Sequence, residues 1–519
     1  MKWNKRTTAL AAIGLVGYAS TARAADSTNA APAAAPKTTL AGTVIGEKAN
    51  KGFFSRLDQS FRDEFGTPAY VPPDTNAPPS SRRLNPSPFD SPPFPTGEWQ
   101  IGGTEVIGDA NITPDYPLMQ AIYQGPHGQA WADSNIKIYG WVDFSANMAT
   151  SDKSAVNNTT PPFGNSSNPG GGPGGPAGVV GATFPEVYDQ RPNRVELNQA
   201  VLYLERTPDE AQVDHVDWGF RISAVYGLDY VYMISKGLFS YQLLHDHNWY
   251  GYDMPMVYAN IYIPWVAQGL NLTIGRIISE ADIEAQLAPN NPMSSHSLLY
   301  GFDPYTQDGI FSTLTLNRNW KVQAGLANGG DVQPWVNDPG NQPTGTVMFQ
   351  YQSSNNKFSF YGGANQFNNG EWGYNNMQQY VGTLSYKFNE KVWTTWETWY
   401  MYQHDAATGP TASVPNINAS FPVKPGYAPE WASLNYTMFR LAPSTFFTVR
   451  NEIFDDIVGQ RTGYATVYSE HSIGITYWPN KLITFRPELR FDHSYAERSF
   501  DLGTRHNQFT AQFDVIVHF

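Results

Sequence analysis

Gln508 to Phe519 read QFTAQFDVIVHF. Phe509, Ala511, Phe513, Val515, Val517 and Phe519 fall on one parity, and Gln508, Thr510, Gln512, Asp514 and His518 on the other. Ile516 is the one exception. Side chains of a strand point alternately to its two faces, so this segment is a strand with one greasy face and one wet face. Working back along the chain, Ile483, Phe485, Pro487, Leu489 and Phe491 alternate with Thr484, Arg486, Glu488, Arg490 and Asp492. Pro487 lacks a ladder donor and should sit at a bulge or break. Phe447, Val449 and Ile453 alternate with Arg450 and Glu452, while Trp218, Phe220, Ile222, Ala224 and Tyr226 leave Arg221 on the opposite face. In lipid every backbone polar group must be paired within the protein, so such strands have to close into a barrel. An Arg or Lys on the lipid face near mid-bilayer costs about 2–4 kcal/mol, which turns the charged parity inward.

The same alternation recurs from Asn135 onward. Sixteen strands are expected, beginning near Asn135, Asn193, Asp214, Pro255, Gly269, Gly309, Asn319, Thr344, Asn356, Gln378, Glu390, Glu430, Ser444, Ala465, Lys481 and Arg505. Short connections (such as Ala267-Gln268, Asn389-Glu390 and Pro479-Asn480) alternate with long ones at 149–192, 229–254, 279–308, 329–343, 367–377, 403–429, 455–464 and 493–504. That is the asymmetry of an outer-membrane barrel, with tight periplasmic turns and long outer loops. The fold class is therefore all-β: a closed antiparallel transmembrane barrel, residues 135–519, behind a Pro-rich N-terminal extension. A 22-stranded plugged receptor would need more chain than this. Trp141, Tyr203, Trp218, Tyr226, Trp265, Trp399, Tyr400, Tyr477 and Trp478 lie near strand ends and are expected to form interfacial girdles. The rival is a sugar-stacking slide inside the pore.

Composition agrees. Charged residues are 15% and aromatics 14%, and there is no Cys, so no disulfide framework or thiolate metal site is available. Lys2, Lys5 and Arg6, an apolar Thr8 to Tyr18, and Ala22-Arg23-Ala24 make residues 1–24 read as an export signal. Removing its four basic residues from a chain of formal charge −13 leaves about −17, which argues against a nucleic-acid partner. Nothing after the signal is apolar for the ~18 residues that a helical span needs.

Residues 25–134 are different. Lys51 to Gly66 places Phe53, Leu57, Phe61 and Phe65 four apart, one face of a short helix. Pro68 to Pro95 is dense in proline and should run extended. This part is either a periplasmic tether or a plug, with Arg82 and Arg83 as pore charges in the second case.

Two groups of residues carry the candidate chemistry. Loop 279–308 holds Glu280, Asp282 and Glu284 beside Arg276, and Asp282 to Ala288 could form a short helix ended by Pro289. An inward loop with opposed charges is how a pore sets its selectivity, so these four are the constriction candidates. The pore-lining candidates are Arg221, Arg450, Glu452, Glu470, Arg486, Glu488, Arg490 and Asp492. His245-Asp246-His247 is too slight to be a metal site, and Ser295-His296-Ser297 has no partner acid at a recognisable spacing. The Gly-rich run Gly170 to Gly181 lacks the Lys-Ser/Thr of a phosphate loop and reads as a flexible outer loop. No catalytic residue, cofactor or metal is expected, and the chain is not read as an enzyme.

Six blocks together, YGWVD (139–143), VDWGFRISAVYGLD (216–229), GRIISEADIEAQLAPNN (275–291), SHSLLY (295–300), VRNEIFDDIVGQRTG (449–463) and FRPELRFD (485–492), closing with 514–519, resemble the bacterial putative β-barrel porin-2 family, the OmpL-like porins. The resemblance implies a barrel in the outer membrane of a Gram-negative-type cell. The function expected is passive diffusion of small hydrophilic solutes or ions. The alternatives are a channel specific for a sugar or anion, and a non-transporting barrel such as an adhesin or scaffold. Its expected partners are outer-membrane lipids, the solutes, and the barrel-assembly machinery, whose signal a terminal aromatic such as Phe519 resembles. A homotrimer is plausible by analogy with porins of this size.

Overall fold

The computed structural model describes residues 37–39, 42–67, 115–152, 183–186, 188–189, 191–210, 212–244, 246, 248–278, 282–338, 340–355, 357–370, 376–389, 391–404, 427–462, 464–501 and 503–519. Among the described residues three helices come first: α1 (Phe53–Phe65), α2 (Pro117–Tyr123) and α3 (Gly128–Ser134). Seventeen strand segments follow in one sheet. Two of them, Gly251–Asp253 and Val257–Ile263, both pair with the same neighbour and form one interrupted strand. Sixteen strands therefore make the wall.

They are β1 (Ile136–Ala149), β2 (Val195–Arg206), β3 (Asp217–Gly227), the interrupted β4, β5 (Leu270–Ile278), β6 (Thr306–Thr315), β7 (Trp320–Asn328), β8 (Pro343–Gln352), β9 (Phe358–Phe367), β10 (Gln378–Asn389), β11 (Val392–His404), β12 (Tyr427–Ala442), β13 (Thr445–Asp456), β14 (Thr466–Asn480), β15 (Ile483–Ser494) and β16 (Asn507–His518). Every expected start lies within three residues of a strand start. Each strand is antiparallel to the next, and β1 pairs with both β2 and β16, so the sheet closes and leaves no edge.

Local chemistry explains two irregularities of the wall. Pro255 sits where β4 breaks, because it has no N–H to give the ladder. Ser223 bridges the gap: its N–H donates to the Met256 carbonyl (2.9 Å) and its hydroxyl accepts from the Met256 N–H (3.0 Å). Pro487 interrupts the β14–β15 ladder, which steps from Gly474↔Glu488 to Tyr477↔Phe485.

Burial follows parity. Along β16 the wet parity is buried, Gln508, Thr510, Gln512, Asp514 and His518, while Phe509 and Phe513 are exposed on the outer face. Ile516 departs from the parity rule because an apolar cluster inside the barrel, with Tyr116, Trp141, Leu287 and Leu482, receives it.

The aromatic girdle needs a correction. Trp218, Tyr226, Trp265, Tyr400 and Tyr477 are exposed on the outside, but Trp141, Tyr203, Trp399 and Trp478 are buried within. Parity accounts for this, since Trp141 shares a face with Asp143, and Trp399 with Glu397.

Helix α1 forms where its Phe spacing predicts, but its contact face is rotated. Phe53 and Phe65 are exposed, whereas Arg56 and Ser60 are buried. The Arg56 guanidinium donates to the Ala121 carbonyl (2.7 Å), which draws its own flank of α1 against α2. The end of the barrel bearing the short turns meets this helical layer. Tyr116 stacks on His518 at 4.6 Å, and Lys481 in the β14–β15 turn reaches Glu64 at 3.8 Å.

Candidate functional site

The inward faces of β13 to β16 carry two kinds of row in register. One row is acidic: Glu452, Glu470 and Asp492 stand side by side, next to Gln508. One step along the strands, Arg450, Ser472, Arg490 and Thr510 align. Like charges directly opposite one another destabilise a sheet, so the arginine row makes the acidic row tenable. Arg450 Nε donates to Glu470 (3.0 Å), and Arg490 binds Asp492 (2.8 Å). Arg486 Nε donates to Asp514 (2.9 Å). All eight pore-lining candidates face inward and are buried. Arg221 stands apart from the cluster, bound to Glu205 through its Nε (2.7 Å).

The loop from 282 to 305 lies inside the barrel against this wall. Its backbone and short side chains satisfy wall groups that burial would otherwise leave unpaired. Ser295 is the hub. Its N–H and hydroxyl donate to the two oxygens of Glu488 (2.9 and 2.6 Å), while its carbonyl accepts from Arg450 (2.8 Å). Arg490 donates to the His296 carbonyl (2.6 Å), and Arg486 donates to the carbonyls of Ala288 (2.7 Å) and Asn291 (2.5 Å). Glu452 receives the N–H of Leu298 (2.8 Å) and that of Leu299. Glu397 on β11 receives the N–H of Ile283 (2.7 Å), and Trp399 donates to the Leu299 carbonyl (3.2 Å). Buried charges are tolerable only when paired and hydrogen-bonded, and the loop backbone completes that pairing.

The four constriction candidates part company. Glu280 lies outside the described residues. Glu284 accepts from the Tyr436 hydroxyl and the Ser297 N–H (3.0 Å), with Arg450 at 3.7 Å. Burial raises its carboxyl, and Arg450 opposes that shift. Asp282 neighbours Asp303 and Glu397, and burial together with Asp282 holds the Asp303 carboxyl well above the usual range. Arg276 does not meet these acids. Asp253 binds it at 3.0 Å, and its two terminal nitrogens also donate to the carbonyls of Met254 and Met233 (2.7 Å each).

No helix spans 282–288. A short 3₁₀ turn (Ala288–Asn290) and a helical turn (Leu298–Gly301) are present instead. Side chains hold this stretch in a different course: the Ile283 N–H donates to Glu397 (2.7 Å), and the Ala285 N–H to the Asn291 amide oxygen (2.7 Å).

A second inward segment, 183–186 with 188–189, has no counterpart in the sequence reading. Glu186 accepts from Gln508 (2.6 Å), Phe184 packs edge-on against Phe302, and Tyr188 stacks on His296 at 3.8 Å. The available signal was the switch from the Gly/Pro/Asn-rich run to Phe184, Glu186, Tyr188 and Asp189. Burial and the charge of Glu488 raise Asp189 to about 7, and burial lowers His296 to about 3. The hydroxyl of Ser295 is committed to Glu488, while His296 Nε2 is 2.9 Å from the Ala285 carbonyl, so the Ser-His pair does not form a nucleophile–base contact. His245 and His247 lie outside the described residues, as do Arg82, Arg83 and Gly170 to Gly181. Among the described residues no acid, His or Cys group could hold a metal ion.

Across the lumen, β6 to β10 present a different surface. Gln307, Thr346, Asn365 and Gln379 form an uncharged chain: Gln307 to Asn365 is 2.8 Å, Thr346 to Asn365 is 3.0 Å, and Asn365 to Gln379 is 2.9 Å.

Comparison places this architecture. A family model described as putative beta-barrel porin-2, OmpL-like, matches residues 135–519. No curated protein matches the chain. Solved structures similar in shape include the anion-selective porin from Comamonas acidovorans (10% identity, 74% of this chain and 99% of that one, TM-score 0.47). Another is the outer-membrane channel DcaP of Acinetobacter baumannii (11%, 74% and 97%, 0.43). A third is OmpF of Salmonella typhi in complex with daunomycin (9%, 75% and 98%, 0.45).

Proposed function

Because this chain belongs to the putative beta-barrel porin-2, OmpL-like family, and is therefore an outer-membrane porin, we propose that the 282–305 loop is its constriction and that the passage favours small hydrophilic cations. The supporting observation is a charge imbalance. Asp282, Glu284 and Asp303 are acidic, and residues 282–305 contain no Lys or Arg. On the wall they face, Arg450, Arg486 and Arg490 are outnumbered by Glu452, Glu470, Glu488, Asp492 and Asp514. Lumen charges of one sign set the ion preference of a pore. No catalytic residue is needed, because size and the local field decide what passes.

The inward side chains of loop and wall are buried against one another, which supports a loop that narrows the lumen and widens it when it loosens. Residues 1–24 serve as the export signal. The parts of the extension at 42–67 and 115–134 act as a cap over the periplasmic mouth rather than a free tether. The contacts of Tyr116 with His518, and of Glu64 with Lys481, support this.

Planar-bilayer recording of the full-length protein across a potassium chloride gradient tests the proposal. The reversal potential should carry the sign of cation preference, and Asp282→Asn should move it towards zero. An anion-preferring reversal potential in the unmodified protein would refute the assignment.

A further inference from the structure

The 282–305 loop completes the pairing of one wall and leaves that of another open. Against β13 to β16 its donors reach both oxygens of Glu452 and both of Glu488. Against β1 to β3 they do not. Gln199 on β2 is the link there. Its amide nitrogen donates to the Gln286 carbonyl (2.6 Å) and to Asp229 (2.8 Å), and its oxygen accepts from the Ala288 N–H (3.1 Å). Asp143 on β1 is the register partner of Gln199 and is buried on the inward face.

Three oxygens around Gln199 have no donor. They are Asp143 Oδ1, Asp229 Oδ1 and Gln286 Oε1, each on a residue no more than 3% exposed. The second oxygen of Asp143 takes only the Asn198 amide (3.3 Å), and that of Asp229 only Gln199. Asp189 and Asp514 lie near enough to add their charges to both acids. Arg486 acts on Asp143, but Asp514 and the carbonyls of Ala288 and Asn291 already hold it. Carboxylates this close cannot all carry charge in a buried place unless a cation stands among them.

The open acceptors select the kind of cation. Among the described residues no three acidic or histidine side chains are placed to hold a metal ion. A primary ammonium brings one charge and three N–H donors, one for each open oxygen. Aromatic faces, which attract alkylammonium groups, flank the spot. Trp141 donates to the Gln199 oxygen (3.4 Å), and Tyr188, which feels the charge of Asp229, stacks on Tyr232 at 4.2 Å.

We infer that the seam between the loop and β1 to β3 is a binding site for solutes carrying a primary ammonium group, held by Asp143, Asp229 and the side-chain oxygen of Gln286. The solute reaches it as the loop loosens, and its ammonium supplies the missing donors and the missing positive charge together. A potassium ion has the charge alone, and so has a quaternary ammonium. The inference rests on the cation-passage reading and names the class of solute that the passage retains.

Full-length protein in planar bilayers, in symmetric potassium chloride, is titrated with butylammonium and separately with its isomer of the same charge, tetramethylammonium. Butylammonium should reduce the potassium current saturably, at concentrations on the order of tenfold below those at which tetramethylammonium acts. This comparison needs no variant. Asp143→Asn and Asp229→Asn should each weaken the butylammonium block by roughly tenfold, with the heat-resistant barrel band retained. Equal block by the two isomers overturns the proposal, as does a butylammonium block unchanged in both folded variants. The reversal potential across a potassium chloride gradient separates the two readings. Cation preference without discrimination between the isomers removes the ammonium site alone, whereas anion preference removes the passage reading and the site with it.

Discussion

Inside the barrel, the wall from β13 to β16 and the wall from β6 to β10 solve one problem in opposite ways. Both must satisfy inward polar groups shielded from bulk water. The first uses full charges, three arginines among a larger set of carboxylates, and needs the 282–305 loop to complete the pairing. The second uses mainly neutral amides and hydroxyls that satisfy one another across neighbouring strands, with Lys321 as a buried charge. A charged wall is strongly coupled to whatever docks on it, while a neutral wall stands by itself. A loop that must both hold and release is therefore built against the charged side.

The sharpest way to break this contrast is Arg450→Met. Arg450 is fully buried and touches Glu470, Glu488 and Ser295 together. Removing one partner of a buried charge pair costs about 3–5 kcal/mol. We expect a clear fall in thermal stability, with more frequent and larger open events in bilayer recordings because the loop loses its anchor. On the neutral wall, Asn365→Ala strands parts of Gln307, Thr346 and Gln379, a cost of about 1–3 kcal/mol in hydrogen bonding. That change should lower the melting temperature without altering the open probability. If both variants change gating alike, the two walls are not functionally distinct.

Trp399→Phe sharpens the comparison from the loop's edge. It keeps the ring that packs against Phe454 and removes the donor to the Leu299 carbonyl. The expected loss is about 1 kcal/mol. It should be visible as faster proteolysis within 282–305, with barrel melting nearly unchanged. Identical cleavage rates in variant and parent would show that the loop is held by its ion pairs alone.

What was legible in the sequence was whatever the two-residue period controls. The strands, their inward charges and the alternation of short and long connections all follow from which parity meets lipid. Trp399 shows where that logic was not carried far enough: it lies two residues from Glu397, so parity placed it inside even though its position near a strand end suggested a girdle. Other features depend on contacts between segments remote in sequence. No spacing rule brings Ser295 to Glu488 or Glu186 to Gln508, and none sends Arg276 to Asp253 rather than to its neighbours in the loop. The absent helix at 282–288 belongs to the same class, because a contact with Glu397 on a distant strand helps set the course of that stretch and local propensity does not see it.

The smallest effect concerns how pH acts on the docked segment 183–189. Burial holds Asp189 at about 7, above its unfolded value near 3.9. A folded carboxyl that binds its proton more tightly favours docking at low pH, and this contribution is lost as pH rises from about 4 to 7, with no further change above. His296, stacked on Tyr188, acts the other way. Its imidazole is held near 3, so its contribution is complete above about 6.5 and is lost as pH falls towards 3. The two partly cancel between 4 and 6.5, and the unmodified protein should show only a shallow dependence there. Burial also holds the Glu186 carboxyl of this segment well above the usual range, so Asp189→Asn together with Glu186→Gln removes the carboxyl contributions and leaves that of His296; this variant should lose docking as pH falls below 6.5, read as amide exchange in 183–186 and 188–189. If the variant and the parent give the same pH profile, Asp189 and Glu186 are not protonated in the docked state, and charge on this side of the lumen is screened more completely than its burial implies.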